Sequence, residues 1–134
     1  MIVIDASVAT KLINTQEEGS DSAIALLVSH LESKDKITVP SLIFLEVANA
    51  LTTKSKLREA YIRKGVHLLY GANFVIQEAN EADIINASLL AKKYDTSVYD
   101  MIYAVIAKNN KSTLITADSK FVSKVNFPYV KSLF

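Results

Sequence analysis

The chain has 134 residues, 50% hydrophobic and 22% charged, with three Gly and two Pro; this excludes a disordered or collagen-like polymer and gives a single domain enough apolar material for its own core. It has no cysteine, which excludes disulfides, thiolate zinc sites and cysteine nucleophiles and is compatible with a reducing cytoplasm. The net charge of +1 excludes little, because a nucleic-acid enzyme can carry a local basic face on a neutral whole.

Residues 1–5 (MIVID) read as a buried strand, followed by a short helix through residues 11–13. The first apolar run stops at Asp5, too early for a signal-peptide core or a membrane span, and the run over residues 101–107 is also too short. The expectation is a cytoplasmic protein without a membrane segment, folding as one domain over residues 1–134. Ser20 and Asp21 suit the start of a helix whose stripe is Ile24, Leu27, Val28 and Leu31. Residues 37–39 form a second strand, and Pro40 with Ser41 opens a helix reaching about Lys54. A fourth helix covers residues 57–69, with Leu57, Ala60, Tyr61 and Leu68 on one side and Gly71 as its stop. Residues 74–76 read as a third strand, and residues 81–93 as a helix with Ala82, Ile85 and Leu89 inward. Residues 98–107 (VYDMIYAVIA) are apolar nearly all round, as in a helix buried on most sides. A strand over residues 113–116, a short helix over 118–124 and an edge strand at residues 129–130 complete the chain. Alternating strands and helices imply right-handed crossovers, hence a three-layer α/β/α sandwich with a mainly parallel central sheet.

Four of the fourteen acidic residues stand apart from the solvated rest. Asp5 and Asp118 follow strands, and each reads either as an N-cap or as a site residue. Glu46 lies among Leu42, Ile43, Leu45 and Val47, where an unpaired charge is costly unless the residue takes an outer face of its helix. Asp100 sits between Tyr99 and Met101 at the start of the apolar helix, where a first-turn acid is also favoured by the helix dipole. Ligands of parallel α/β sheets gather at the carboxyl ends of the strands, and all four acids can point into that mouth. Their repulsion in one cleft calls for protons or cations. An all-oxygen donor set without Cys or a spaced His pair favours Mg²⁺ or Mn²⁺.

The segments Val3-Ile4-Asp5-Ala6-Ser7, Glu46-Val47-Ala48-Asn49-Ala50-Leu51, Tyr99-Asp100-Met101-Ile102-Tyr103-Ala104 and Thr116-Ala117-Asp118 resemble the PIN-domain ribonuclease family, most closely its small VapC-type toxins. Each segment alone is weak; the four in order, over nearly the whole chain, are specific. The resemblance implies that Asp5, Glu46, Asp100 and Asp118 are the acidic quartet that binds the divalent ions and carries catalysis. It implies supporting roles for Ser7 and Thr116, and for Asn49 one turn beyond Glu46. The implied reaction is hydrolysis of RNA phosphodiesters to 5′-phosphate and 3′-hydroxyl ends, with one or two ions lowering the pKa of a bound water. It also implies a homodimer held inactive by a small antitoxin. A separate physical motive for a dimer is a second apolar stripe on the fourth helix: Ile62, Val66, Leu69 and Tyr70.

Lys54, Lys56, Arg58, Arg63 and Lys64 form a basic cluster opposed only by Glu59, readable either as an RNA-phosphate track or as a solvated helix junction. His30 and His67, on the second and fourth helices, are not needed as bases. A receiver-like phosphoacceptor domain would place a second acid beside Asp5 and an Asp after the third strand, where Ala6 and Gln77 stand. Ser7 breaks the Asp-x-Asp of an Asp-nucleophile phosphatase. The complete quartet argues against a non-catalytic PIN-like scaffold.

Overall fold

Strand β1 (Ile2–Ile4) is buried along its length, as an unbroken Ile-Val-Ile run requires when both faces of a parallel sheet are covered. The structure, a computed structural model, describes residues 1–53 and 58–134. From β1 the chain forms α1 (Ala6–Ile13), α2 (Ser20–Leu31), β2 (Ile37–Val39), α3 (Leu42–Thr53) and α4 (Glu59–Gly71). It continues through β3 (Val75–Ile76), α5 (Glu81–Tyr94), α6 (Val98–Asn109), β4 (Thr113–Thr116), α7 (Ser119–Val125) and β5 (Val130–Ser132). The sheet runs β3-β2-β1-β4-β5, and every pairing in it is parallel.

Strand order reverses between β1 and β4. Right-handed crossovers therefore send the helices before β3 to one face and those after it to the other. In agreement, α1 packs on β1 and β4 together with α2, α3 and α4, whereas α6 packs on the same two strands together with α5. The result is a three-layer α/β/α sandwich, with a sheet wholly parallel rather than mainly so. Helix α6 is its central covering element: Met101 through Ala107 are buried without a break.

Three helices face differently from the expected stripes. On α2 the buried residues are Ser20, Ala23 and His30, while Ile24, Val28 and Leu31 are exposed and only Leu27 of the expected stripe packs partly against the core. On α5 the buried residues are Ala87 and Ala91, and Ala82, Ile85 and Leu89 point outward. In both cases the helix approaches its neighbours, α1 and β2 for α2 and α6 for α5, mainly through small residues, which permit closer backbone contact than the large ones. On α4 the inner face is Tyr61, Ile62, Gly65, Val66 and Leu69, and Ala60 and Leu68 are exposed. The stripe regarded as surplus is thus largely covered within one chain, and Tyr70 stacks on Phe44 with ring centroids 4.1 Å apart. Gly65 fixes this contact: a Cβ there would come within 2.9 Å of both Ile13 and Leu51, tighter than side chains accept without a shift. Leu57, expected on this helix, lies outside the described residues.

His30 is 1% exposed and ties three elements together. Its Nδ1 accepts the Ile37 amide at 2.9 Å, so Nε2 carries the proton and donates to the Ala72 and Asn73 carbonyls at 3.1 Å. The ring is a buried crosslink between α2, β2 and the end of α4, consistent with its exclusion from catalysis. Among the described residues, no helix is long and apolar enough to cross a membrane.

Candidate active site

The register of the sheet places the first two acids. Ile4 of β1 pairs with Ile115 of β4, so the residues that follow, Asp5 and Thr116, meet at the point where strand order reverses, the usual ligand crevice of such sheets. The Thr116 hydroxyl donates to Asp5 Oδ2. Asp5 Oδ1 accepts the Ser7 hydroxyl at 2.5 Å and the Val8 amide at 3.2 Å. Ser7 Oγ in turn accepts the Ala117 amide at 2.9 Å, and Thr116 Oγ1 accepts the Asp118 amide at 3.1 Å. The two hydroxyls stitch the end of β1 to the end of β4 and hold Asp5 in one orientation. A carboxylate offers about four lone-pair positions, and these three bonds leave one, on Oδ2.

Asp5 is also the N-cap of α1 through Val8, and Asp118 caps α7 by accepting the Phe121 amide at 3.0 Å. The capping and site readings are therefore not exclusive, since among the described residues Asp118 Oδ2 accepts no hydrogen bond. Asp100 lies in the first turn of α6, whose N-cap Ser97 accepts the Asp100 amide at 3.0 Å. Glu46 is half-buried on α3, and its Oε1 accepts the hydroxyl of Tyr103 at 2.5 Å. The resemblance included Tyr103 only as part of a motif; its contact with Glu46 spans 57 positions and carries no local signal.

The electrostatics join these residues. Burial pushes the Asp5 carboxyl above its ordinary value against the pull of its hydrogen bonds, and the charge of Asp100 adds to the rise. Burial raises Glu46 as well, offset in part by Tyr103 and reinforced by Asp100 and Asp5. Asp100 is raised by burial, partly offset by Ser97, and further raised by Asp118. Asp100 thus acts on Asp5 and Glu46, and Asp118 acts on Asp100. None of them forms an ion pair among the described residues. The Tyr103 phenol is held well above its usual range by burial, by its bond to Glu46 and by the carboxylates around it, so it is a neutral donor.

By chemistry, these donors fit a hard divalent cation: oxygen ligands, negative in sum. By spacing they are not yet a ligand shell. Among the described residues, no three His, Cys, Asp or Glu side chains stand together closely enough to hold a metal ion. The shared field and the open spacing describe the same mouth. Glu46, Asp100 and Asp118 are all three only part-buried.

The other expected residues divide. Ser7 and Thr116 contact Asp5 directly. Asn49 is exposed, and its backbone carbonyl accepts the hydroxyls of Thr52 and Thr53. Lys54 and Lys56 lie outside the described residues. Arg58 and Lys64 are exposed, and Arg63 pairs with Glu59 at 2.7 Å. Tyr61, one turn after Arg58, bonds the carbonyl of Ile13 at the far end of α1, about 12 Å along that helix from Asp5 by its rise per residue. A different pair of cations stands nearer the acids: a cleft of about 440 Å³ is lined by Asp100 and Asp118 together with Ser97, Phe121, Lys120 and Lys124. The signal for this pair was available in sequence, as lysines two and six positions after Asp118 on one short helix.

The family model for the PIN domain matches residues 2–126. Among solved structures, PAE2754 from Pyrobaculum aerophilum aligns with a TM-score of 0.73 at 18% identity, over 98% of this chain and 88% of that one. A toxin–antitoxin complex from Klebsiella pneumoniae gives 0.69 at 17% identity, over 100% and 98%. VapC20 of Mycobacterium tuberculosis, described as a sarcin–ricin loop cleaving toxin, gives 0.70 at 12% identity, over 92% and 94%. Comparison with curated proteins gives no match. The solved structures agree in fold with the sandwich described above, and with the family match over most of its length the chain belongs to the PIN-domain family.

Proposed function

We propose that this PIN-domain nuclease is a metal-dependent endoribonuclease, with Asp5, Glu46, Asp100 and Asp118 as its Mg²⁺- or Mn²⁺-binding catalytic quartet. What supports the reading is that carboxylates following β1 and β4 and borne by α3 and α6 act on one another beside the crevice where strand order reverses: Asp100 raises Asp5 and Glu46, and Asp118 raises Asp100. Asp5, Glu46, Asp100 and Asp118 would hold the ion, which when bound would supply an activated water and offset charge on the scissile phosphate. The chain's own contribution is orientation and charge. Ser7, Thr116 and the Val8 amide fix Asp5, and the caps of α6 and α7 fix the backbones that carry Asp100 and Asp118. Lys120 and Lys124 border the cleft and attract the phosphates of an RNA strand. Lys124 also donates to the Asp95 carbonyl at 2.7 Å and lies 3.7 Å from its carboxylate. Asn49 keeps at most an outer role on α3.

We assign the chain the role of toxin in a toxin–antitoxin pair, acting in the cytoplasm as a homodimer. The Klebsiella complex and VapC20 support the first part by likeness. Exposed apolar side chains support a need for partners: Ile24, Val28 and Leu31 on α2, and Ile84, Ile85 and Leu89 on α5 beside Val98 and Tyr99. The α4 stripe no longer argues for a dimer.

The test is cleavage of RNA by purified, nuclease-free protein with Mn²⁺. Asp5→Asn and Asp100→Asn should fold and lose activity, while His67→Ala keeps it; full cleavage by both Asp variants would sink the assignment. Co-expression with the product of an adjacent small reading frame should restore growth and yield a complex. Light scattering of the chain alone should exceed the monomer mass of 14.7 kDa. A monomer at micromolar concentration rejects the dimer.

A further inference from the structure

Among the four acids, Glu46 has the longest side chain, and among the described residues a single hydrogen bond holds it. Asp5 receives three hydrogen bonds. Asp118 is fixed by capping α7. Asp100 stands in the first turn of α6, close to its Ser97 cap. Glu46 reaches the mouth on a longer side chain from the middle of α3, and among the described residues its carboxylate receives one bond, from Tyr103. Tyr103 is 1% exposed and enclosed by the continuous core of α6. It stands three residues after Asp100, which puts both on one side of that helix about a turn apart. One rigid helix therefore carries an acid of the quartet and the donor that holds another.

We propose that Tyr103 is a positioning residue of the metal site, its hydroxyl fixing Glu46 Oε1 and leaving Oε2 as the ligating oxygen. This rests on the reading of the quartet as a metal site. A tyrosine suits the task because it donates one directional bond and adds no charge. A lysine in its place would neutralise Glu46 and compete with the cation. Hydrogen bonds that orient a ligating carboxylate commonly govern metal affinity by about 10- to 100-fold. The alternative role is packing alone, with the bond serving only to satisfy a buried hydroxyl.

Mn²⁺ affinity, measured without RNA by titration calorimetry or by the electron paramagnetic resonance of free ion, separates the two. Tyr103→Phe keeps the ring and should weaken Mn²⁺ binding about 10-fold or more. Tyr103→Met, which fills the slot without a hydroxyl, should do the same. In a Glu46→Ala background, itself a weaker binder, Tyr103→Phe should change the affinity less than twofold, because the group it orients is gone. A packing role would cost equally in both backgrounds and would appear in melting temperature instead. Unchanged or tighter Mn²⁺ binding by Tyr103→Phe overturns the proposal, the tighter case meaning that the bond holds Glu46 away from the metal. Asp5→Asn and Asp100→Asn control for the underlying reading. If they weaken binding while Tyr103→Phe does not, the positioning role alone fails; if none of the three matters, the metal site is not here.

Discussion

Replacing Asp100 by Asn should stabilise the metal-free protein and weaken its response to metal. Asp100 acts on Asp5 and Glu46 and is acted on by Asp118, so the change removes three like-charge interactions. At about 8 Å and an effective dielectric constant near 40, each is about 1 kcal/mol. Ionic screening and the half-exposed position cut the sum to about 1.5 kcal/mol. Against this stands the loss of a first-turn acid at the start of α6, about 0.5 kcal/mol; the Ser97 cap survives because it binds the backbone amide. The net gain of about 1 kcal/mol should raise the melting temperature in EDTA by about 3–5 °C for a chain of this length. Excess Mn²⁺, at about 100 times its dissociation constant, adds about 2.7 kcal/mol to the wild type, or about 10 °C. A variant binding about 100-fold more weakly gains about 0.4 kcal/mol at the same concentration. Differential scanning calorimetry with EDTA and with Mn²⁺ reads both effects. Equal metal-induced shifts in the two proteins, or a variant melting below wild type in EDTA, would refute the shared cleft.

The same raised carboxyls give a pH dependence of definite sign. Groups whose folded value lies above the unfolded one, about 4 for Asp and Glu, cost nothing below the unfolded value and most above the folded one. In EDTA the advantage of Asp100→Asn should therefore be small near pH 4 and grow as pH rises, and a gap that narrows with pH would contradict the assignment. His30→Ala removes a ring that makes three hydrogen bonds and leaves the Ile37 amide unpaired in the core. Urea denaturation should show a loss of about 3–5 kcal/mol with cleavage per folded molecule unchanged. Lys120→Ala should weaken RNA binding by a catalytically dead protein and lower its salt slope by about one; an unaltered slope would remove Lys120 from the phosphate path.

The sheet was legible because β1, β2 and β3 are unbroken β-branched runs and β4 nearly so, and α6 because seven consecutive residues are apolar or small. The four acids stood out in the sequence because strand ends and apolar surroundings are unusual places for them, and the order of the motifs added to the pattern. The facing of α2 and α5 was not. A stripe drawn through Ile24, Val28 and Leu31 marks the largest apolar side chains, whereas the close contacts of α2 run through Ser20 and Ala23, and those of α5 through Ala87 and Ala91. Size and hydrophobicity point one way, and closeness of approach the other. Asp5 and Asp118 are helix caps as well as acids of the mouth, a double use that position alone leaves open. The bond from Tyr103 to Glu46 depends on how α6 lies against α3, which no local spacing encodes.

The central claim, that Asp5, Glu46, Asp100 and Asp118 hold the metal, is tested most directly by anomalous scattering from crystals grown with Mn²⁺. The account predicts one or two anomalous peaks at the mouth between β1 and β4, with carboxylate oxygens of the quartet about 2.1 Å away, the spacing of small octahedral divalent ions. Peaks confined to other carboxylates, with this mouth empty in a protein that cleaves RNA in the same Mn²⁺, would contradict it.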